Sequence, residues 1–217
     1  MCARELIEKA REWKELVRPY LSDHRSLTHT LSRDRSALLV IDMQRYFLDS
    51  SSHAYVPASS EIIDNVRALI SAYRQMSRPV VFTRHALLPD EDAGAMGRWW
   101  GDVLREGDPL SEIVEALRPL PGETVLRKSR YSAFAGTELE NTLRELGVDQ
   151  ISITGVMTHL CCETTARDAF LRDFDVFFLI DGTASRSEEL HVAALKTLAD
   201  GFAIPATTEE VLRWLRA

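Results

Sequence analysis

The chain has 217 residues, 45% hydrophobic and 27% charged, the make-up of a folded globular protein rather than a disordered one. Its formal net charge of -7 offers no basic footprint for nucleic acid, and no apolar run is long enough to span a bilayer. Three cysteines, two of them adjacent, make a poor disulfide framework; with a charged amino terminus that lacks an apolar signal core, they predict free thiols and a cytoplasmic protein.

Residues 4–21 place Leu6, Ile7, Ala10, Trp13, Leu16, Val17, Tyr20 and Leu21 on one helical face, with Pro19 ending the helix near Arg18. Residues 22–35 read as a polar linker, so residues 1–35 form a helix and linker ahead of a main domain at 36–217. Ser36–Ile41 is short and apolar enough to be a buried strand. A helix is predicted over 59–76, capped by Ser59 or Ser60, then a strand over Pro79–Thr83 ending at Arg84 and His85. Ala86–Asp108 is a long mixed segment of the kind that carries function. Asp108-Pro109 opens a short helix through Leu117, and Glu123–Arg127 is a third strand with Lys128 after it. A capping box at Thr137 and Glu140 starts a helix that Gly147 stops. Gln150–Ile153 is a fourth strand and Asp175–Ile180 a fifth, closed by Asp181-Gly182. A second capping box, Ser185 and Glu188, opens a helix to about Leu198; a short strand at Phe202–Pro205 and a helix over Thr208–Leu215 complete the chain. Strands that are apolar throughout, alternating with helices, predict an α/β fold: a parallel, Rossmann-like sheet covered on both faces.

Cys161 falls where the fourth strand has ended and a helix begins. Free backbone N–H groups and the positive end of the helix dipole meet there, and both favour a thiolate. Ligands of open parallel sheets bind beyond the carboxyl ends of the strands. The residues at those ends are Asp42, Arg84-His85, Lys128 and the turn from Gly155 to Cys161. A carboxylate to take the thiol proton, an ammonium to hold that carboxylate, and turn N–H groups for an oxyanion make a nucleophilic site.

Four segments in this order resemble the isochorismatase-like cysteine hydrolases over nearly all of Ser36–Leu212. They are Leu39-Val40-Ile41-Asp42-Met43-Gln44, Val80-Val81-Phe82-Thr83-Arg84, Lys128-Ser129-Arg130-Tyr131-Ser132-Ala133-Phe134, and Thr154-Gly155-Val156 through Cys161 to Ala169. The resemblance implies a triad of Asp42, Lys128 and Cys161. It also implies a cis peptide between Val156 and Met157, with the N–H groups of Met157 and Cys161 as the oxyanion hole. Members cleave non-peptide C–N bonds through a thioester or hydrolyse the vinyl ether of isochorismate, and are usually dimers or tetramers. A homodimer or homotetramer acting on a small molecule is therefore expected.

This chain departs from the pattern in three places. His159 stands where the commonest hydrolases carry Asp or Asn, a feature similar to true isochorismatases; those lack Cys161 and often carry cysteine one place later, whereas this chain has Cys161 and Cys162 together. The Asp-x-His pair of metal-binding relatives is missing after Arg84-His85-Ala86, so neither metal nor other cofactor is expected. The helix at 4–21 precedes the usual start of the family domain. Candidate pocket residues are Gln44, Phe47, Trp99, Trp100, Tyr131 and His159; for the aromatics, packing in the core or at an interface is an equal alternative. The expected activity is hydrolysis of an amide-type C–N bond. The alternatives are isochorismate ether cleavage with Cys161 idle, and a non-catalytic oligomeric or redox-sensing protein.

Overall fold

A computed structural model describes residues 3–21 and 30–217. The linker expected at 22–35 lies mostly outside them; from residue 30 the chain runs through a 3-10 turn at Arg33–Arg35 into the sheet. The strands are β1 (Ser36–Ile41), β2 (Val80–His85), β3 (Thr124–Lys128), β4 (Gln150–Val156), β5 (Asp175–Ala184) and β6 (Ile204–Ala206). They form one sheet in the order β3-β2-β1-β4-β5-β6, with every pair parallel. This is the doubly wound order, whose direction of winding reverses between β1 and β4. Both strands are buried along their whole length because both faces are covered.

Alternate side chains of each strand enter opposite cores. Leu39, Ile41, Ile151, Ile153 and Phe178 meet α1 (Ala3–Val17), α5 (Leu139–Glu145), α6 (Glu163–Phe170) and α7 (Glu188–Gly201). Leu38, Val40, Phe82, Phe177 and Leu179 meet α2 (Arg45–Leu48), α3 (Ile63–Gln75) and α8 (Thr208–Arg216). The remaining helix, α4 (Gly94–Trp100), lies within the long segment after β2. No helix among the described residues is long and apolar enough to cross a membrane.

The helix expected at the start of the chain is present, with a narrower buried stripe than its sequence suggests. Leu6, Ala10, Trp13 and Val17 enter the core, while Ile7, Leu16 and Tyr20 stay exposed. The helix expected from Asp108 is instead two 3-10 turns, Pro109–Ser111 and Glu115–Leu117. Between them the backbone is extended, because Arg45 N donates to Glu112 O and Val114 N to Met43 O at 2.9 and 3.0 Å. Those bonds tie down the segment leaving β1. Neither predicted capping box forms. Thr137 hydroxyl donates to Ala133 O at 2.5 Å, and α7 is capped by Ser187, which accepts from Leu190 N. Helix α3 starts only at Ile63, after a 3-10 turn over Pro57–Ser60.

Strand β5 runs four residues past its expected end. A register shift between Ile153 and Gly155 re-aligns β4, so that Gly155 and Val156 pair with Thr183 and Ala184. Gly155 has φ +114°, and a Cβ there would lie 2.0 Å from Ile41 O on β1. Only glycine lets β4 pass β1 this closely. Gly155→Ala is expected to destabilise the protein by at least about 3 kcal/mol in chemical denaturation, because positive-φ strain and a backbone clash combine; a loss under about 1 kcal/mol would contradict this.

Candidate active site

Strand β1 ends at Ile41 and β4 at Val156, on either side of the point where the winding reverses. Asp42 follows the first, and Cys161 follows the second within one π-helical turn, Thr158–Cys162. Lys128 closes β3 and reaches in from the flank. All three side chains are buried, and all three meet. Lys128 Nζ lies 2.6 Å from Asp42 Oδ2, 3.3 Å from Cys161 Sγ and 3.0 Å from Arg130 O. An ammonium has three N–H donors. Two of these donate, to Cys161 Sγ and Arg130 O, and the ammonium faces Asp42 Oδ2 as an ion pair. Since the sulfur accepts from Lys128, the thiol proton points away from the ammonium.

Asp42 is held at both ends by one residue. Thr83 hydroxyl donates to Asp42 Oδ1 at 2.6 Å and accepts from Asp42 N at 3.1 Å. The Asp42 backbone sits at φ +48°, a region non-glycine residues enter at a cost of about 1–3 kcal/mol and mostly at functional sites. Thr83 could be anticipated from sequence only as an apolar strand's last residue; its inward β-branched hydroxyl, two residues before the strand's end, is the signal.

Two sequence motifs are joined by hydrogen bonds that set Lys128 against Cys161. Ser132 Oγ donates to Asp168 Oδ2 at 2.6 Å, and Ala133 N donates to Thr165 Oγ1 at 3.0 Å. Asp168 also pairs with Arg172, and Arg167 with Glu163, each one helical turn apart. The peptide between Val156 and Met157 is cis. Leu160 N and Cys162 N both donate to Met157 O, at 3.1 and 3.2 Å, closing the turn that carries Cys161.

The electrostatics differ from those expected of a thiol at a helix start. Burial pushes the Cys161 thiol up to about 12; the Lys128 charge opposes this and the Asp42 charge adds to it. The turn is π-helical and its thiol is buried, and desolvation is the largest influence on it. Burial alone would discharge Lys128, but Asp42 and the Cys161 sulfur reverse this and hold it above its ordinary value. The resting site therefore sets an ammonium against a neutral thiol, with Asp42 beside both. His85, pushed down to about 4 by burial and by the Lys128 charge, adds a neutral imidazole to the pocket wall. Cys162 is fully buried, its thiol pushed up by burial, and packs in the core.

Cys161 opens into a cavity of about 150 Å3, lined among others by Phe47, His85, Trp100, Tyr131, Met157 and Leu160. Cavities of this size hold a single six-membered ring. Trp100 Nε1 donates to Tyr131 OH at 2.7 Å, tying α4 to the segment after β3. The exposed residues His53, Asp102 and Arg186 also line it; Arg186 lies over the Trp100 ring and makes no ion pair among the described residues.

Of the candidate pocket residues, Phe47, Trp100 and Tyr131 line the cavity and three others do not. Gln44 is fully buried, its amide taken up by His85 N, His85 O and Ser111 O at 2.8, 3.0 and 2.7 Å. It fixes the end of β2 and does not touch the pocket. Trp99 is 81% exposed, because one helical step turns it away from the face Trp100 presents. His159 lies outside the cavity with Nδ1 bonded to Ser185 Oγ. Among the described residues no three His, Cys, Asp or Glu side chains converge as a metal-ligand set.

The family described as Isochorismatase domain matches residues 36–210. The chain belongs to the isochorismatase family. Its hydrolase fold is shared with a cysteine hydrolase from Pseudomonas syringae pv. phaseolicola 1448A, at TM-score 0.83 and 30% identity, covering 86% of this chain and 94% of that one. Among curated isochorismatase-family relatives, Nicotinamidase 3 of Arabidopsis thaliana is 45% identical over 83% of this chain and 88% of its own. Enterobactin synthase component B of Escherichia coli (strain K12) is 38% identical over 82% of this chain, which spans 62% of that protein. Helix α1 lies ahead of the region the family description matches.

Because burial raises the thiol, little thiolate is present at pH 7 and its fraction grows about tenfold per pH unit. Iodoacetamide labelling of Cys161, followed by intact mass, should accelerate steadily from pH 7 to 10 with no plateau. A plateau near neutrality would show instead that the dipole and Lys128 prevail.

Proposed function

We propose that this protein hydrolyses the C–N bond of a small carboxamide through a thioester on Cys161. The observation that carries the reading is the buried Lys128 ammonium bonded at once to Asp42 and to Cys161 at the floor of a ring-sized cavity. Such a contact has one chemical use that a core cysteine does not need: it fixes which way the thiol proton points.

A standing thiolate is scarce in this site, so proton removal accompanies attack. As the sulfur bonds to the carbonyl carbon, its proton passes to Asp42. Lys128 stays charged and stabilises the negative charge moving along the sulfur–carboxylate axis. The carbonyl oxygen becomes an oxyanion, for which the N–H groups of Met157 and Cys161 are the proposed donors. On collapse the C–N bond breaks and the nitrogen leaves as ammonia or an amine with the proton from Asp42. Water then attacks the thioester, giving its proton to Asp42; the C–S bond breaks and that proton returns to sulfur. Amide and water are consumed, carboxylic acid and amine are released, and the site is restored. The relative named a nicotinamidase supports a one-ring carboxamide as substrate.

A second reading, vinyl-ether hydrolysis of isochorismate with Asp42 as acid and Cys161 idle, draws on one observation. The Arg186 guanidinium, unpaired at the pocket, suits a carboxylate-bearing substrate. Both readings are tested by assaying nicotinamide, other one-ring carboxamides and isochorismate. Cys161→Ala and Asp42→Asn should each lower amidase kcat by about 10^4-fold or more, and intact mass should trap an acyl adduct on the wild type. Ether cleavage surviving in Cys161→Ala but not in Asp42→Asn, without any amidase activity in the wild type, would establish the second reading.

A further inference from the structure

The turn that carries the nucleophile is anchored by two of its own side chains, and both reach the same place. His159 bonds Ser185 Oγ, just ahead of α7. Thr158 Oγ1 lies 2.8 Å from Nδ1 of His191, one turn into α7, in a fully buried contact. His191 is in turn covered by the N-terminal helix: the Trp13 ring of α1 packs on it at 4.5 Å between centroids and an interplanar angle of 55°. Trp13 is itself oriented, its Nε1 donating to Glu188 Oε1 at 2.8 Å while Lys9 Nζ donates to Glu188 Oε2 at 2.5 Å. Glu188, which its spacing from Ser185 would assign to a capping box, therefore clamps α1 onto α7.

We propose that α1 is a working part of the active site, in which Trp13 and His191 are positioning residues that hold Thr158, and through it the Cys161 turn, in register with Asp42 and Lys128. The inference rests on Cys161 being the nucleophile. Three observations make this more than core packing. First, Leu6, Ala10, Trp13 and Val17 belong to the same buried cluster as Cys161 and Cys162, so α1 and the turn share one core. Second, the contact is polar and directional where it meets the turn: an imidazole nitrogen on a threonine hydroxyl fixes a rotation that apolar packing leaves free. Third, Leu160 N and Cys162 N share one acceptor, Met157 O, which closes the loop on itself. The tie from the turn to the start of α7 is made by the two side-chain anchors.

The link predicts a defined kinetic signature. A small displacement of a nucleophile changes the transition state far more than substrate binding, and about 1 Å is enough for about a hundredfold. In the full-length protein, Thr158→Val, His191→Leu and Trp13→Ala should lower kcat on a carboxamide by about 10–100-fold with KM changed less than about twofold. His191→Asn, which returns a polar atom near the Nδ1 position, and Trp13→Phe, which returns a ring, should recover most of the loss. The double variant Thr158→Val/His191→Leu should be no worse than the poorer single variant, since both cut the same link. Circular dichroism at the assay temperature reports the folded fraction for each protein; where Trp13→Ala does not fold, Thr158→Val, His191→Asn and their double variant decide. Folded variants with wild-type kcat, additive losses in the double variant, or no rescue by His191→Asn would overturn the link. Failure of the thiol reading itself is separate, since it shows as full amidase activity in Cys161→Ala.

Discussion

A charge with nowhere to go organises this protein. Lys128 is buried, and among the described residues its ammonium meets the Asp42 carboxylate, the Cys161 sulfur and one backbone carbonyl. Removing a charge from water is expensive unless every donor finds an acceptor. That requirement dictates the arrangement around it. Asp42 must present its carboxylate inward, which its φ of +48° and Thr83 accomplish, and the sulfur must accept rather than donate toward Lys128. The direction of the thiol proton is a consequence of satisfying the lysine.

The same constraint explains why distant segments are bonded to each other. Asp42 and Cys161 flank the reversal point of the sheet, where two strand ends leave a crevice. Lys128 arrives from the edge strand β3, two strands away, and has to be registered against both. The Ser132–Asp168 and Ala133–Thr165 bonds supply that register by tying the segment after Lys128 to the helix after Cys161. Gln44 does similar work for β2, and Gly155 lets β4 approach β1 closely enough for the two ends to share one site.

The parallel α/β class followed from the alternation of apolar strands and helices, and the meeting of Asp42, Lys128 and Cys161 from their places at strand ends; the strand order itself came from the structure. Local signals misled wherever a longer-range partner outbid them. Ser185 and Glu188 have the spacing of a capping box, yet Glu188 bonds Lys9 and Trp13 from a helix far away in sequence. The residues after Asp108 have helical spacing, but extended pairing with Met43 and Arg45 draws them out. Gln44 and His159 stand in the right segments for a pocket, and each is instead occupied by a neighbouring group. Trp99 and Trp100 are indistinguishable in sequence; only the phase of a helix against the sheet separates a solvent-facing ring from a pocket wall.

What this chain determines by itself is the set of elements and the end of the sheet at which its reactive groups stand, because periodicity and strand termini are local properties. Only the tertiary structure decided their ionisation. A thiol at the start of a helix reads as acidic, whereas burial in a π turn beside Asp42 pushes this one up and favours its neutral form. Desolvation depends on everything packed around a group, and no stretch of sequence contains its own surroundings.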